Sequence, residues 1–123
     1  MQEHPNVTLA KRISEEMKRE GPAAIARYLA DDVVWHEIGR AEPRRGLDEL
    51  SAAGDAVDYE IDYEIHDIVG GPDHVVALIN ATGKRGGRTL DYRVAEIYHV
   101  RDGKITERWA FSDDTAAITD FFG

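Results

Sequence analysis

Cysteine is absent from the chain, so disulfides, thiolate catalysis and Cys-ligated zinc or iron–sulfur centres are excluded. Basic residues are few: 15 Lys and Arg stand against 24 Asp and Glu, a formal net charge of -9. That balance argues against nucleic acid and against an anionic membrane surface, since both need a basic footprint. No apolar run approaches the roughly 20 residues of a transmembrane helix, and the opening MQEHPNVTLAKR lacks the apolar stretch of a secretory leader. The expectation is a cytoplasmic soluble protein. With 123 residues it has the length of one domain, 1–123, able to bury a core without staples. There is no HExxH or His-x-His spacing, so no metal site is expected either.

What is present falls into two halves with different periods. NVTLAKRISEEMKRE puts Val7, Ala10, Ile13 and Met17 at helical spacing, with Asn6 as N-cap and Gly21 as stop. Pro22 suits the first turn of a second helix, PAAIARYLADD, in which Ile25, Tyr28 and Leu29 share a face. DDVVWHEIG (31–39) reads as a short strand, RAEPRRG (40–46) as a loop, and GLDELSAAG as a brief third helix. The period then becomes two: Tyr59, Ile61, Tyr63 and Ile65 alternate with Glu60, Asp62, Glu64 and His66. GGPD (70–73), KRGGR and RDGK turn the chain between HVVALINATG, TLDYRVAEIYHV and ITERWAF, and Asp102-Gly103 suits a tight hairpin. SDDTAAITDFFG closes the chain as a helical turn or two, capped by Ser112 or Asp113. Helices followed by hairpins imply an α+β fold with the helices on one side of a curved sheet.

In that order YLADDVVWHEIG, the EPRRG loop, DHVVAL and DGKITERWAFSDD are similar to the nuclear transport factor 2-like superfamily. The chain resembles most its SnoaL-like and ketosteroid-isomerase-like bacterial members, over nearly its whole length. The resemblance implies a cone: a curved antiparallel or mixed sheet closed by three N-terminal helices around an apolar pocket. It also implies dimerisation through the outer face of the sheet. It implies no particular reaction, because this fold carries isomerases, cyclases, dehydratases, epoxide hydrolases and binders.

Alternation assigns side chains to faces. Val33, Trp35 and Glu37 share one face of the first strand, and Val34 and His36 the other. Counting from Ala30-Asp31-Asp32, the resemblance places the isomerase general base at Glu37. It places the protonated, oxyanion-holding acid at Glu96, on a strand whose inner face carries Leu90, Tyr92, Val94, Glu96, Tyr98 and Val100. On the last strand Thr106, Arg108, Ala110 and Ser112 are expected inward, and Ile105, Glu107, Trp109 and Phe111 outward. The isomerase tyrosine of the first helix falls on Ile13, so that hydroxyl is missing unless Tyr92 or Tyr98 supplies one.

A carboxylate in an apolar pocket loses hydration, its pKa rises, and it can shuttle a proton beside a carbonyl while a donor holds the enolate oxygen. Glu37 and Glu96 are the candidate catalytic pair, with Trp35, Tyr92, Tyr98 and Arg108 as candidate ligand contacts. The competing reading pairs Glu37 with Arg108, Arg40, Arg44 or Arg45, and Glu96 with Arg108 across the sheet. Three functions compete: cofactor-free proton transfer on a small apolar carbonyl compound, a binder using the same pocket, and a dimerisation domain filled by Tyr92 and Tyr98. The outward rings of Trp109 and Phe111 mark the expected homodimer contact.

Overall fold

The computed structural model describes residues 3–123. Met1 and Gln2, which begin both the expected 1–123 domain and the segment read for a leader, lie outside the described residues. Helix α1 (Pro5–Glu20) starts one residue earlier than its expected cap. Pro5 fits the first helical position, and the Nδ1 of His4 accepts the Asn6 N–H at 3.1 Å. Asn6 is thereby free to donate its side-chain amide to the carbonyls of Gly71 and Pro72, tying α1 to a distant turn. Gly21, at φ +102°, stops the helix.

The expected second helix is a 3₁₀ segment, Pro22–Tyr28, and it ends early. Strand β1 (Leu29–Trp35) begins two residues sooner than the sequence pattern suggests, because Leu29 pairs with Ile105 of the last strand. Tertiary pairing overrides helix propensity there. The loop after β1 contains a two-residue strand, β2 (Arg44–Arg45), whose Arg44 pairs with Trp35. Helix α2 (Gly46–Asp55) packs Leu47 and Leu50 on β1, while Glu49 accepts the Arg45 N–H at its start.

The remaining strands are β3 (Glu60–Gly70), β4 (His74–Arg85), β5 (Arg88–Arg101) and β6 (Lys104–Ser112), followed by α3 (Thr115–Phe122). They form one six-stranded sheet in the order β2-β1-β6-β5-β4-β3, antiparallel except for the β1–β6 pair. The cap of α3 is Asp114, whose carboxylate accepts the Ala117 N–H at 3.0 Å, rather than Ser112 or Asp113.

The sheet's concave side carries two adjoining apolar clusters, one around Val7, Ile68, Val75 and Val100, the other around Ile13, Leu29, Val33 and Ile105. Val33 and Val75 are fully buried, each contributing on the order of 1.5–3 kcal/mol. Ile105 lies inward, opposite Val100, contrary to simple alternation. A bulge is the reason: Val100 pairs with Ile105 but His99 with Glu107, so Thr106 is the extra residue and both Ile105 and Arg108 face in. Three inner positions of β4 are small, with Ala77 opposite Glu96, Ala81 opposite Tyr92, and Gly83 in contact with Phe122. These small residues leave the space that becomes a cavity.

The β5–β6 hairpin turns on Asp102 and Gly103, both at positive φ, as a tight two-residue turn requires. Replacing Gly103 by Ala is expected to cost about 1–2 kcal/mol through left-handed backbone strain, read as a lower urea midpoint with an unchanged slope.

Candidate functional site

The cavity, about 420 Å³, lies between the concave sheet, α1, the 3₁₀ segment and α3. That volume suits a small organic ligand. Helix α2 contributes no lining residue, whereas the C-terminal α3 contributes Ile118 and Phe122. The cavity is therefore closed by α1, the 3₁₀ segment and the C-terminal α3 rather than by three N-terminal helices.

Most of the wall is apolar, and its charged groups are Glu96 within β5, Arg108 within β6 and Glu37 just beyond β1. Trp35 and Arg108 are register partners across the parallel β1–β6 pair, and Tyr98 and Arg108 across β5–β6. The guanidinium of Arg108 thus sits between Trp35, 4.6 Å from its ring centroid, and the Tyr98–Glu96 side of β5. Its Nη2 pairs with Oε1 of Glu96, and its Nη1 donates to the His36 carbonyl at 3.0 Å. The hydroxyl of Tyr98 donates to Oε2 of Glu96 at 2.5 Å. Glu96 and Arg108 are only 17% and 12% exposed.

Burial by itself would raise the Glu96 pKa, but the Arg108 charge and the hydrogen bonds from Tyr98 and Arg108 outweigh it, holding the carboxyl below its ordinary value. Glu96 is therefore an ionised acceptor at neutral pH, and the role of a protonated, oxyanion-holding acid does not fit it. Burial, and then the neighbouring Glu96 charge, push the Tyr98 phenol well up. The same two causes push Tyr92 up to about 12.

Glu37 lines the cavity together with Trp35, while His36 lies on the opposite side of the sheet, stacked on Trp109 at 5.1 Å and bonded to Glu107 at 2.7 Å. Among the four arginines weighed as Glu37 partners, Arg44 is the one bonded, Nε to Oε1 at 2.7 Å. The β1–β2 pairing explains the choice, since it sets Arg44 beside Trp35. Glu37 remains 34% exposed. Tyr92 lines the cavity beside Phe122. Thr106 and Ala110, expected inward on β6, are absent from the lining, as is Ser112, and the inner contribution of β6 is Ile105 and Arg108. Tyr63 was visible in the alternation of β3, but nothing in the sequence marked it as part of the site. It lines the cavity, and its hydroxyl is shut off from solvent without a partner among the described residues.

Comparison with known proteins agrees with this fold. The model of the SnoaL-like domain family matches residues 10–108. No curated protein matches the chain. A protein of unknown function with a cystatin-like fold, from Xanthomonas campestris, is 22% identical, with TM-score 0.83, covering 95% of this chain and 97% of that one. A nuclear transport factor 2-like protein of unknown function from Burkholderia pseudomallei is 18% identical, with TM-score 0.82 and coverages of 95% and 96%. A structure of an epoxide hydrolase from M. tuberculosis is 22% identical, with TM-score 0.70 and coverages of 89% and 86%. At these identities the solved structures establish the fold and no reaction.

Replacing Glu96 by Gln strands the Arg108 charge in the wall and is expected to cost about 3–5 kcal/mol, measured by urea unfolding at pH 7. Because the folded pKa of Glu96 is depressed, its contribution is complete above the ordinary carboxylate value of 4.5 and is lost as pH falls through the lower folded value. The gap between wild type and Glu96→Gln should accordingly narrow in acid.

Proposed function

Because the chain belongs to the SnoaL-like domain family, we propose that its cavity is a binding site for a small, largely apolar carbonyl compound. One observation carries this reading: each carboxylate of the cavity is already engaged by an arginine, Glu37 by Arg44 and Glu96 by Arg108. A proton-abstracting base of the kind the family resemblance suggests needs a carboxylate whose charged form is destabilised. Glu96 has the opposite shift, and Glu37 is one-third exposed and hydrogen-bonded. What remains is an apolar chamber with a fixed polar end whose two carboxylates are each held by an arginine, which suits recognition. An open cavity also argues against a purely structural domain filled by Tyr92 and Tyr98.

A second reading keeps one observation in its favour. Arg44 engages only Oε1 of Glu37, and Oε2 has no partner among the described residues. A cofactor-free isomerase, cyclase or dehydratase would use that oxygen as base, with Tyr98 and Arg108 as polar contacts and Trp35 and Tyr92 as wall. Calorimetry and product analysis with a panel of neutral medium-chain and alicyclic ketones separates the two. For a binder, saturable binding without conversion is expected, and Glu37→Gln should leave affinity within about twofold, an effect below roughly 0.5 kcal/mol. Conversion by wild type that Glu37→Gln abolishes would establish the second reading.

We also propose that the convex face of the sheet joins two copies of the chain. Leu78, Ala95 and Phe111 form one cross-strand row, and Val76, Ile97 and Trp109 the next. Phe111 is 60% exposed and Leu78 is exposed as well, a contiguous apolar surface of the kind that interfaces cover. Phe111→Glu should convert a dimer to a monomer in light scattering while the melting curve stays cooperative. A wild type that is monomeric at tens of micromolar would sink the proposal.

A further inference from the structure

We propose that the contact between two copies of the chain is proton-linked, and that the imidazoles of His74 and His99 are the pair that opposes it in acid. This rests on the convex-face dimer proposed above and assigns its regulation. His74 and His99 are cross-strand partners on β4 and β5, with ring centroids 4.3 Å apart in an edge contact. His99 in turn meets the ring of Trp109 edge-on at 4.6 Å. The pair therefore borders the apolar rows of the face: His74, His99 and Glu107 form one row, Val76, Ile97 and Trp109 the next, and Leu78, Ala95 and Phe111 the one after.

An imidazole is the side chain that ordinarily changes charge between pH 5 and 8. Above that range a neutral pair extends the apolar rows. Below it, two cations stand on rings 4.3 Å apart. A two-fold contact presents the same patch from each copy, so a proton gained by one face is gained by the other. Covering the exposed His74 must then bury a cation or force its proton off. The sign follows: separate chains bind more protons than the joined pair, so association weakens as pH falls.

The surroundings leave that charge uncompensated. β3 brings none to the row, because it ends there in Gly70 and Gly71, whose N–H donates to the His74 carbonyl at 2.9 Å. β6 brings Glu107 opposite His99, but Glu107 already bonds His36 at 2.7 Å. Among the described residues, Glu107 is the one carboxylate within bonding distance of any of these three imidazoles. Further off, Asp67 of β3 lies level with Leu78 and holds the Ile68 N–H, and Arg45 of β2 lies level with Val34. At the turn end, Asp73 and Arg101 add one charge of each sign. His36 differs from the pair, since the charge it gains is met by Glu107 of its own chain.

Sedimentation equilibrium at pH 8 and pH 5.5 tests this, with circular dichroism at both to follow the fold. Below the ordinary imidazole value of about 6.5, each proton the dimer excludes should raise Kd about tenfold per pH unit, roughly a hundredfold at pH 5.5 for one proton per copy. The double variant His74→Gln/His99→Gln should dimerise at pH 8 like wild type and lose the dependence, whereas His36→Gln should keep it. His74→Lys supplies a permanent cation at an exposed position and should raise Kd at pH 8, with no acid step that could unfold the chain. A wild-type dimer with one Kd at both pH values overturns the inference and leaves the dimer standing. So does a dependence that survives in the double variant, a double variant that is monomeric at pH 8, or a His74→Lys protein that dimerises like wild type. Wild type that is monomeric at pH 8 at tens of micromolar overturns both.

Discussion

A guanidinium cannot lose its proton, so once Arg108 is placed in an apolar wall everything around it must satisfy that charge. Glu96 neutralises it, the His36 carbonyl takes one N–H, the Trp35 ring lies against it, and Tyr98 completes Glu96. These partners come from β1, the residue that follows it, and β5, so Arg108 ties both strands flanking β6 to it. The parallel β1–β6 contact, the one exception to an otherwise antiparallel sheet, is sealed by the same residue: the His36 N–H donates to the Arg108 carbonyl at 2.8 Å. Burying such a pair is rarely the cheapest way to gain stability. Its value here is geometric, because it fixes polar atoms in a chamber whose other walls are mostly aliphatic and aromatic.

The strands serve two surfaces at once. On β5 the inner residues Tyr92, Glu96 and Tyr98 line the cavity, while the outer residues Ala95, Ile97 and His99 belong to a convex face that also carries Trp109 and Phe111. His36 and Glu37, adjacent in sequence, divide in the same way: one stacks on Trp109 outside, the other turns to Arg44 inside. The cavity and the convex apolar face are therefore separated by the thickness of one sheet, and adjacent residues of one strand belong to different surfaces.

Much of this was legible from the chain alone, for identifiable reasons. Period-two alternation in 89–100 put Tyr92, Glu96 and Tyr98 on one face, that in 31–39 put Glu37 with Trp35, the family resemblance chose that face as inner, and all four line the cavity. Turn chemistry marked Asp102-Gly103. The 3₁₀ segment was hidden because PAAIARYLADD has good helical spacing and only the long-range Leu29–Ile105 pairing ends it. The bulge at Thr106 leaves no local mark, so Ile105 was assigned to the wrong face. The choice of Arg44 among several arginines depended on a two-residue strand too short to produce a pattern. Ionisation of Glu96 was equally hidden, since it follows from how closely Arg108 and Tyr98 approach.

The bulge has a meaning beyond register. From a two-residue turn at Asp102-Gly103, an unbroken ladder would set residue 107 opposite Tyr98, and the extra residue sets Arg108 there instead. The cavity's sign at that point thus depends on a count of residues: with Thr106 accommodated as a bulge, Glu96 meets a cation, and without the bulge Glu107 would turn inward and it would meet a second carboxylate. Lineages that gain or lose one residue beside this hairpin can exchange an ion pair for an acid pair without touching a strand elsewhere.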